Sequence, residues 1–380
     1  MDRLIKILFI FTIAILAICS FGFVDPNMAL SINPLYTVIH APLYHLAYQF
    51  RPWMAALFFV FLCSLFVCYI YVLQHANTDS FSKKKIVPIL LLSSLFLVLS
   101  YPALSYDLFN YMTTAKVTFT WHENPYLVMP VEIPNEPYLA FTRAANKVAL
   151  YGPIWILITA MPHFLGSGNI WGTIIAFKAL NAILYGIFAF LIYKVTKSWK
   201  NVLFFVFNPL VLIEVLISGH NDVYMMLFAI LGLLLWEQKK IRSRIAACCL
   251  FLASFFIKGA TVVLVPLLFI KSITRERLLI AAYCLLVLVF FIAAPIREEL
   301  YPWYAVWLIT IVSLMDMKKY ALLIWFTIVL SFALELRNLP YMWMGYYEGP
   351  GPILRTILTA VPIVLYFIYI GIRYITKKTK

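Results

Sequence analysis

Long apolar runs, each near the length that crosses a bilayer, alternate along this chain with short polar segments. Such runs predict membrane-spanning helices, because about 20 apolar residues in a helix reach across the hydrocarbon core. Counting each run once gives about twelve crossings, several of them short. Asn208-Pro209 interrupts the run 202–217. The predicted spans are residues 7–23, 53–73, 86–104, 169–193, 202–217, 222–238, 245–257, 260–270, 278–295, 303–315, 321–336 and 353–375.

Basic residues orient these spans, because cytoplasmic loops of membrane proteins carry an excess of Lys and Arg. With both termini in the cytoplasm, every basic cluster, such as residues 83–85, lies on the cytoplasmic side. A crossing by the short apolar run 154–165 would turn Lys194, Lys197 and Lys200 outward. That run is therefore expected to be a half-helix packed on the outer face.

Two longer segments on the outer side are predicted to be loops. Residues 24–52 contain Pro26, Pro34 and Pro42, which interrupt regular structure. Residues 105–153 are polar and lie between the third span and the half-helix. They are predicted to form one large extracytoplasmic loop.

Composition supports a membrane protein. The 380-residue chain is 64% hydrophobic and 12% charged, far outside the range of soluble domains. Its net charge of +14 would suit nucleic acid, but the basic residues sit between apolar runs, so no nucleic-acid partner is expected. The six cysteines lie inside apolar runs without metal-site spacing and are expected to be small buried hydrophobes. The predicted fold class is all-α, a polytopic transmembrane helical bundle in which residues 1–380 form a single integral membrane domain.

Asp107 stands where the apolar run 86–104 meets the polar segment. A carboxylate at the edge of a membrane span is costly unless it is hydrated or paired, which indicates a functional group. The alternative is structural, since Asp is a favoured N-cap and a helix could start at Leu108. Position alone leaves both interpretations open.

Several ionisable residues interrupt apolar segments elsewhere. Lys178 and Glu214 could pair with each other inside the bundle, or Lys178 could line a polar cavity that holds a phosphate. Lys258 precedes Gly259 at a break in an apolar run, where it could reach the outer interface or bind phosphate. Glu335 also lies within an apolar run.

A tight polar turn and an aromatic segment face the same predicted outer side. His220, Asn221 and Asp222 join two spans, and they are either a plain turn with Asp222 as N-cap or part of a site. Trp303 and Tyr304 are typical of an interfacial aromatic belt, and aromatic faces also stack on sugar rings.

Motifs of several enzyme classes are absent from the sequence. It contains no Gly-x-Ser-x-Gly elbow, no His-Glu-x-x-His and no Cys-x-x-Cys. It also lacks a glycine-rich loop that would cradle a nucleotide, so a nucleotide-sugar donor is not supported.

Taken together in chain order, these motifs resemble a known group. The ordered set spans residues 101–304 and is similar to the GT-C glycosyltransferases, above all to the polyprenyl-phosphate-mannose-dependent mannosyltransferases. The motifs that carry the resemblance are Asp107-Leu-Phe-Asn-Tyr111, Asn124-Pro-Tyr126, Tyr151-Gly-Pro153, Asn208-Pro-Leu-Val-Leu-Ile-Glu214, Gly219-His-Asn-Asp222, Lys258 with Pro266, and Pro302-Trp-Tyr304.

The resemblance implies many spans around an outward-facing cavity, a lipid-linked sugar donor and an acceptor outside the cytoplasm. It also implies that Asp107 is the catalytic base. Many GT-C enzymes carry paired carboxylates that bind a metal, whereas Ser105 and Tyr106 precede a single Asp107 here. A divalent metal therefore has no paired-carboxylate support, and no metal ligand or other cofactor is assigned.

The remaining site residues follow from this chemistry. A polyprenyl phosphate needs cations near the membrane surface, and the acceptor and sugar need polar and aromatic contacts. The expected donor-phosphate ligands are Lys258, Arg297, Lys178 and His220. The expected substrate contacts are Asn110, Tyr151, Asn221, Asp222, Trp303 and Tyr304.

The predicted function is a membrane glycosyltransferase that moves a hexose, mannose by resemblance, from a polyprenyl-phosphate donor to an extracytoplasmic glycan or glycolipid. One base and a single displacement would invert the anomeric centre. A bacterial plasma membrane is the expected location, with the active site outside. The alternative is a transporter or flippase of lipid-linked sugars, in which broken helices are common.

Overall fold

The computed structural model describes the chain except for residues 26–27, 29–33, 239, 271–272, 298 and 379–380. The side chains of residues 34–37, 39, 297 and 377–378 are also outside this description. Every regular element in the described part is a helix, which confirms the all-α prediction.

Seventeen α-helices make up the described fold. Short 3₁₀ and π turns join or extend several of them. The helices are α1 Asp2–Ser20, α2 Pro34–Tyr48, α3 Arg51–Gln74, α4 Lys83–Leu99, α5 Asp107–Phe119, α6 Pro153–Gly166, α7 Ile170–Thr196, α8 Trp199–Val206, α9 Pro209–Val211, α10 Asp222–Trp236, α11 Ile241–Phe255, α12 Arg275–Leu288, α13 Ala294–Arg297, α14 Ala305–Val312, α15 Ala321–Glu335, α16 Asn338–Met344 and α17 Gly351–Lys378.

Six helical stretches among the described residues are long and apolar enough to cross a membrane, or up to seven if a bent pair counts as one span. Several other predicted spans correspond to shorter apolar helices, such as Asp222–Trp236 and Gly259–Phe269. The twelve-span count therefore remains a prediction. The six stretches are Asp2–Phe23, Arg51–Gln74, Ile170–Thr196, Arg275–Ile296, Ala321–Met344 and Gly351–Thr376.

Both predicted outer loops contain a helix, although the sequence offered one only in the second loop, as the alternative that begins at Leu108. α2 runs from Pro34 to Tyr48 with Pro42 inside it, so the prediction of an irregular segment at residues 24–52 was wrong there. A proline suits a first helical turn, and one internal proline removes only one backbone hydrogen bond. Residues 105–153 likewise begin with α5 before an irregular stretch.

The core is built around a broken helix, as the sequence predicted. α8 and the segment Pro209–Ile217 meet at an angle of 53°. Asn208 accepts a hydrogen bond from the Leu210 amide at 3.0 Å, so it caps the second piece while Pro209 prevents continuation. A π-helical turn completes this piece, and all residues from 201 to 227 are buried. The polar residues of this stretch therefore point into protein.

A second predicted break, at Lys258, is also present. α11 ends before it and a 3₁₀ helix, Gly259–Phe269, follows. The amides of Gly152 and Ile154 donate to the carbonyls of Ile257 and Phe256, at 3.3 and 3.1 Å. The start of α6 is thus fastened to the break.

We expect Gly152→Ala to destabilise the protein. A Cβ at Gly152 would lie 2.0 Å from the Phe256 carbonyl oxygen, so the two backbones would have to separate. Overpacking of this kind costs about 1–3 kcal/mol. The measurement is unfolding of the purified protein in detergent. Gly186→Ala is the control, because its Cβ meets no described heavy atom within 4 Å, and equal stability of the two variants would contradict the prediction.

Candidate active site

Asp107 is the first residue of α5, but its side chain does not cap that helix. Tyr106 occupies the N-cap position, and no side chain caps the helix there. The Asp107 carboxylate instead accepts a hydrogen bond from the Asn110 amide at 3.4 Å and lies 3.5 Å from His220 Nδ1. Its side chain is 24% exposed, so one face of the carboxylate is open to a substrate.

His220 links Asp107 to a second carboxylate. Its Nε2 lies 3.1 Å from Glu214 Oε2, and its ring stacks on Trp303 with the centroids 3.9 Å apart. The residue is fully buried. Gly219 before it has φ +82°, and a Cβ there would lie 2.6 Å from Leu108, so the turn requires glycine.

The protonation of His220 and Asp107 is coupled. Burial lowers the pKa of His220, but hydrogen bonds and charge from Asp107 and Glu214 outweigh it and raise that pKa to about 9. The imidazolium form thus holds at neutral pH. This contribution to folding stability is complete below the ordinary value of 6.5 and is lost as pH rises through about 9.

The same interaction acts on Asp107 in the opposite sense. Burial raises the pKa of Asp107, but His220 and, more weakly, Lys258 and Asn110 lower it below its usual value overall. Asp107 is therefore an ionised carboxylate at neutral pH.

A buried carboxyl pair extends this chain of polar groups. The carboxyl groups of Glu214 and Glu335 interact directly, and Glu335 accepts a hydrogen bond from the Asn338 amide at 3.3 Å. Both glutamates are buried. His220 Nε2 therefore faces one member of a buried carboxyl pair.

Asp222 and Lys258 form a second ion pair. The Lys258 ammonium donates to both Asp222 oxygens, at 3.0 and 3.1 Å, and the Trp307 indole donates to the same carboxylate. Lys258 also lies 4.5 Å from the Tyr304 ring centroid. Asp222 begins α10 without capping it, because this carboxylate is bound by Lys258. The N-cap interpretation of Asp222 was therefore wrong.

Tyr151 lies between the two clusters. It interacts electrostatically with Asp107, Asp222 and Tyr304, and its ring meets that of Tyr111 edge-on at 4.7 Å. Asn221 is fully buried, and its side-chain amide has no hydrogen-bond partner among the described residues. Both residues therefore join the predicted site.

One predicted phosphate ligand, Lys178, is not brought to this site. Lys178 is fully buried and donates to the carbonyl and hydroxyl oxygens of Ser100, the latter at 2.8 Å. It does not pair with Glu214, so that alternative was wrong as well. The side chain of Arg297 lies outside the described part of the chain. His220 is at the site, but both ring nitrogens face carboxylates.

Sequence reasoning missed the roles of Trp307 and the glutamate pair. Trp307 is one apolar residue in an apolar run. The partner of its indole, Asp222, is 85 positions away along the chain. Glu214 and Glu335 gave a signal, since each is a carboxylate within an apolar segment. Among the described residues, no group of three or more His, Cys, Asp or Glu could hold a metal ion.

Residues 11–274 match the family described as alpha-(1->6)-mannopyranosyltransferase, N-terminal domain. The chain belongs to this family. The match includes Asp107, Glu214, His220, Asp222 and Lys258. No curated protein and no solved structure matches the chain. Membership in this mannosyltransferase family supports a glycosyltransferase that transfers mannose and does not favour the transporter alternative.

The Asp222–Lys258 pair in this mannosyltransferase-family chain should behave as a buried ion pair. Lys258→Met strands a fully buried carboxylate, and breaking such a pair from one side costs about 3–5 kcal/mol. Asp222→Asn combined with Lys258→Met should recover much of that loss, because no unpaired charge remains. A double-mutant cycle of unfolding in mixed micelles measures the coupling. Additive losses would show that the two residues act independently.

Proposed function

We propose that this protein transfers mannose from a polyprenyl-phosphate carrier to a glycan or glycolipid on the extracytoplasmic side, with Asp107 as general base. The carrying observation is the partly exposed Asp107 carboxylate, bound to a buried His220 within a helical membrane protein of a mannosyltransferase family. An apolar carrier suits such a protein, because it can approach the site from the bilayer.

The proposed step is a single displacement. The acceptor hydroxyl gives its proton to Asp107 as its oxygen forms a bond to the anomeric carbon. The bond from that carbon to the phosphate oxygen breaks, and its electron pair leaves with the carrier phosphate. No nucleotide is needed, in agreement with the lack of a nucleotide loop.

Inversion fixes the anomer of the donor. One displacement reverses the configuration at the anomeric carbon. If the chain makes the α linkage that names its family, it requires a β-linked mannosyl phosphate. Its activity should therefore distinguish the two anomers of a synthetic donor.

His220 acts as a positioning residue in this proposal. Its ring is fixed by Trp303, and its two nitrogens hold the Asp107 and Glu214 carboxylates. A positive charge at this point keeps Asp107 ionised and ready to accept a proton. We therefore assign it this role rather than direct contact with the donor phosphate.

Asp107→Asn should abolish most transfer while the protein folds normally. The amide keeps the size of the side chain but cannot accept the proton, and loss of a general base costs about 10²–10⁴-fold in rate. Donor binding should stay near that of the unmodified protein, because Asp107 acts on the acceptor. The measurement is turnover with labelled polyprenyl-phosphate mannose beside donor binding on the same preparation. Near-normal turnover would remove Asp107 as the base, and Asp222 would become the next candidate.

His220→Gln should move the acid limb of the pH–rate profile to higher pH. Glutamine can still hydrogen-bond but lacks the positive charge that lowers the pKa of Asp107, so protonation of that carboxyl becomes easier. The measurement is kcat/KM as a function of pH, which reports ionisations of the free enzyme. A purely structural role would lower the rate at all pH values and leave the limb in place.

A further inference from the structure

Two arginines share one carboxylate on the segment that leads to the candidate active site. Arg337 and Arg355 both donate to Oε1 of Glu299, the second at 2.6 Å. Arg337 also donates to the Thr359 hydroxyl at 3.1 Å. Among the described residues, the two guanidinium groups donate these three hydrogen bonds to side chains. Since two guanidinium groups offer ten N–H donors, most of that capacity is not used by side chains.

The cluster carries excess positive charge in a sheltered position. Arg337 is 9% exposed and Arg355 is 15% exposed, whereas Glu299 is 29% exposed. Among the described residues, one carboxylate faces the two guanidinium groups, so these three side chains carry a net charge of +1. By contrast, the Lys258 ammonium is matched by Asp222. A phosphate would complete the arginine cluster but would have to compete with Asp222 for Lys258.

Aromatic rings connect this cluster to Asp107. Arg355 lies over the ring of Tyr347, which stacks on Tyr341 with centroids 4.2 Å apart. Tyr341 interacts electrostatically with Tyr106, the residue before Asp107, and with Arg143. Arg143 in turn lies 4.5 Å from the Tyr106 ring. These contacts connect the arginines to the residue that precedes the proposed base.

An apolar cleft opens beside the same elements. It is lined almost entirely by apolar side chains. Leu104 precedes the Asp107 segment, and Met342 lies between Arg337 and Tyr347 along the chain. The cleft is lined by Leu16, Cys19, Ser20, Phe23, Met54, Phe58, Phe61, Ala103, Leu104, Ile217 and Met342. Its chemistry suits a prenyl chain.

We propose that Arg337 and Arg355 bind the phosphate of the lipid-linked donor. This assignment rests on the proposed function, because it takes a polyprenyl phosphate as the donor. Arginine suits the task, since its planar fork of donors matches phosphate oxygens and it stays charged in apolar surroundings. Glu299 orients both guanidinium groups before the ligand arrives.

The test compares variants of the full chain in nanodiscs of neutral phosphatidylcholine. The probes are farnesyl phosphate and its uncharged counterpart, farnesol. Arg355→Gln should weaken farnesyl phosphate binding about ten- to a hundredfold, as loss of a charge-assisted contact does, and leave farnesol binding unchanged. Arg373→Gln is the matched control, because Arg373 is exposed on the same helix about 27 Å further along. It should bind both probes as the unmodified protein does.

Glu299→Gln provides a test in the opposite direction. Removing the carboxylate leaves both guanidinium charges for the ligand, so farnesyl phosphate should bind more tightly than to the unmodified protein. A residue that only supports the fold would not produce tighter binding. If Arg355→Gln does not fold, Arg355→Lys, which keeps the charge but loses the planar fork, replaces it and should still weaken binding.

The outcomes separate the two proposals. If the unmodified protein does not transfer mannose from a mannosyl-phosphoryl polyprenol, the proposed function fails whatever the arginine variants do. If it does transfer, and the Arg355 variants bind farnesyl phosphate normally, the arginine site is overturned. An effect of Arg355→Gln that occurs only in nanodiscs containing anionic phosphatidylglycerol would assign the arginines to a lipid headgroup and would also overturn the proposal.

Discussion

The cation at His220 is the interaction on which the candidate site depends. It lies between the carboxylates of Asp107 and Glu214 in a fully buried position, where an unpaired charge would be very costly. The three residues come from three different elements. Asp107 belongs to α5, Glu214 to the broken helix, and His220 to the turn before α10. The His220 ring contacts both carboxylates and so connects these three elements. The stacked ring of Trp303 adds a fourth.

The two groups of internal charges differ in their balance. Asp222 and Lys258 balance each other, and the indole of Trp307 supplies a further donor. The arginines around Glu299 are not balanced in this way. A balanced ion pair is suited to stabilising the fold. An unbalanced cluster of positive charge is suited to binding an anion. This difference is why the donor phosphate is assigned to the arginines and not to Lys258.

The sequence predicted local features better than long-range ones. The breaks at Asn208 and Lys258 were predictable, because Pro209 and Gly259 act on neighbouring backbone. Asp107 and His220 were predicted to be site residues, and membership in a mannosyltransferase family supports the resemblance. The pairing of Arg337 with Glu299 was not predictable, since its partners are 38 positions apart and neither lies in a recognisable motif. The helix α2 was not predicted, because prolines usually interrupt regular structure. Here Pro34 begins the helix and Pro42 lies inside it.

No carboxylate is among the described contacts of Lys178. Its ammonium binds the carbonyl of Ser100, the residue that follows α4. The last carbonyls of a helix are left without partners inside it, and the aligned peptide dipoles give that end a partial negative charge. The end of a helix therefore accepts the hydrogen bonds of a lysine deep in the bundle. The same contact fixes where the chain leaves α4, and Asp107 follows Ser100 by seven residues. A shift of Lys178 along α7 would thus change the position of the proposed base without touching it.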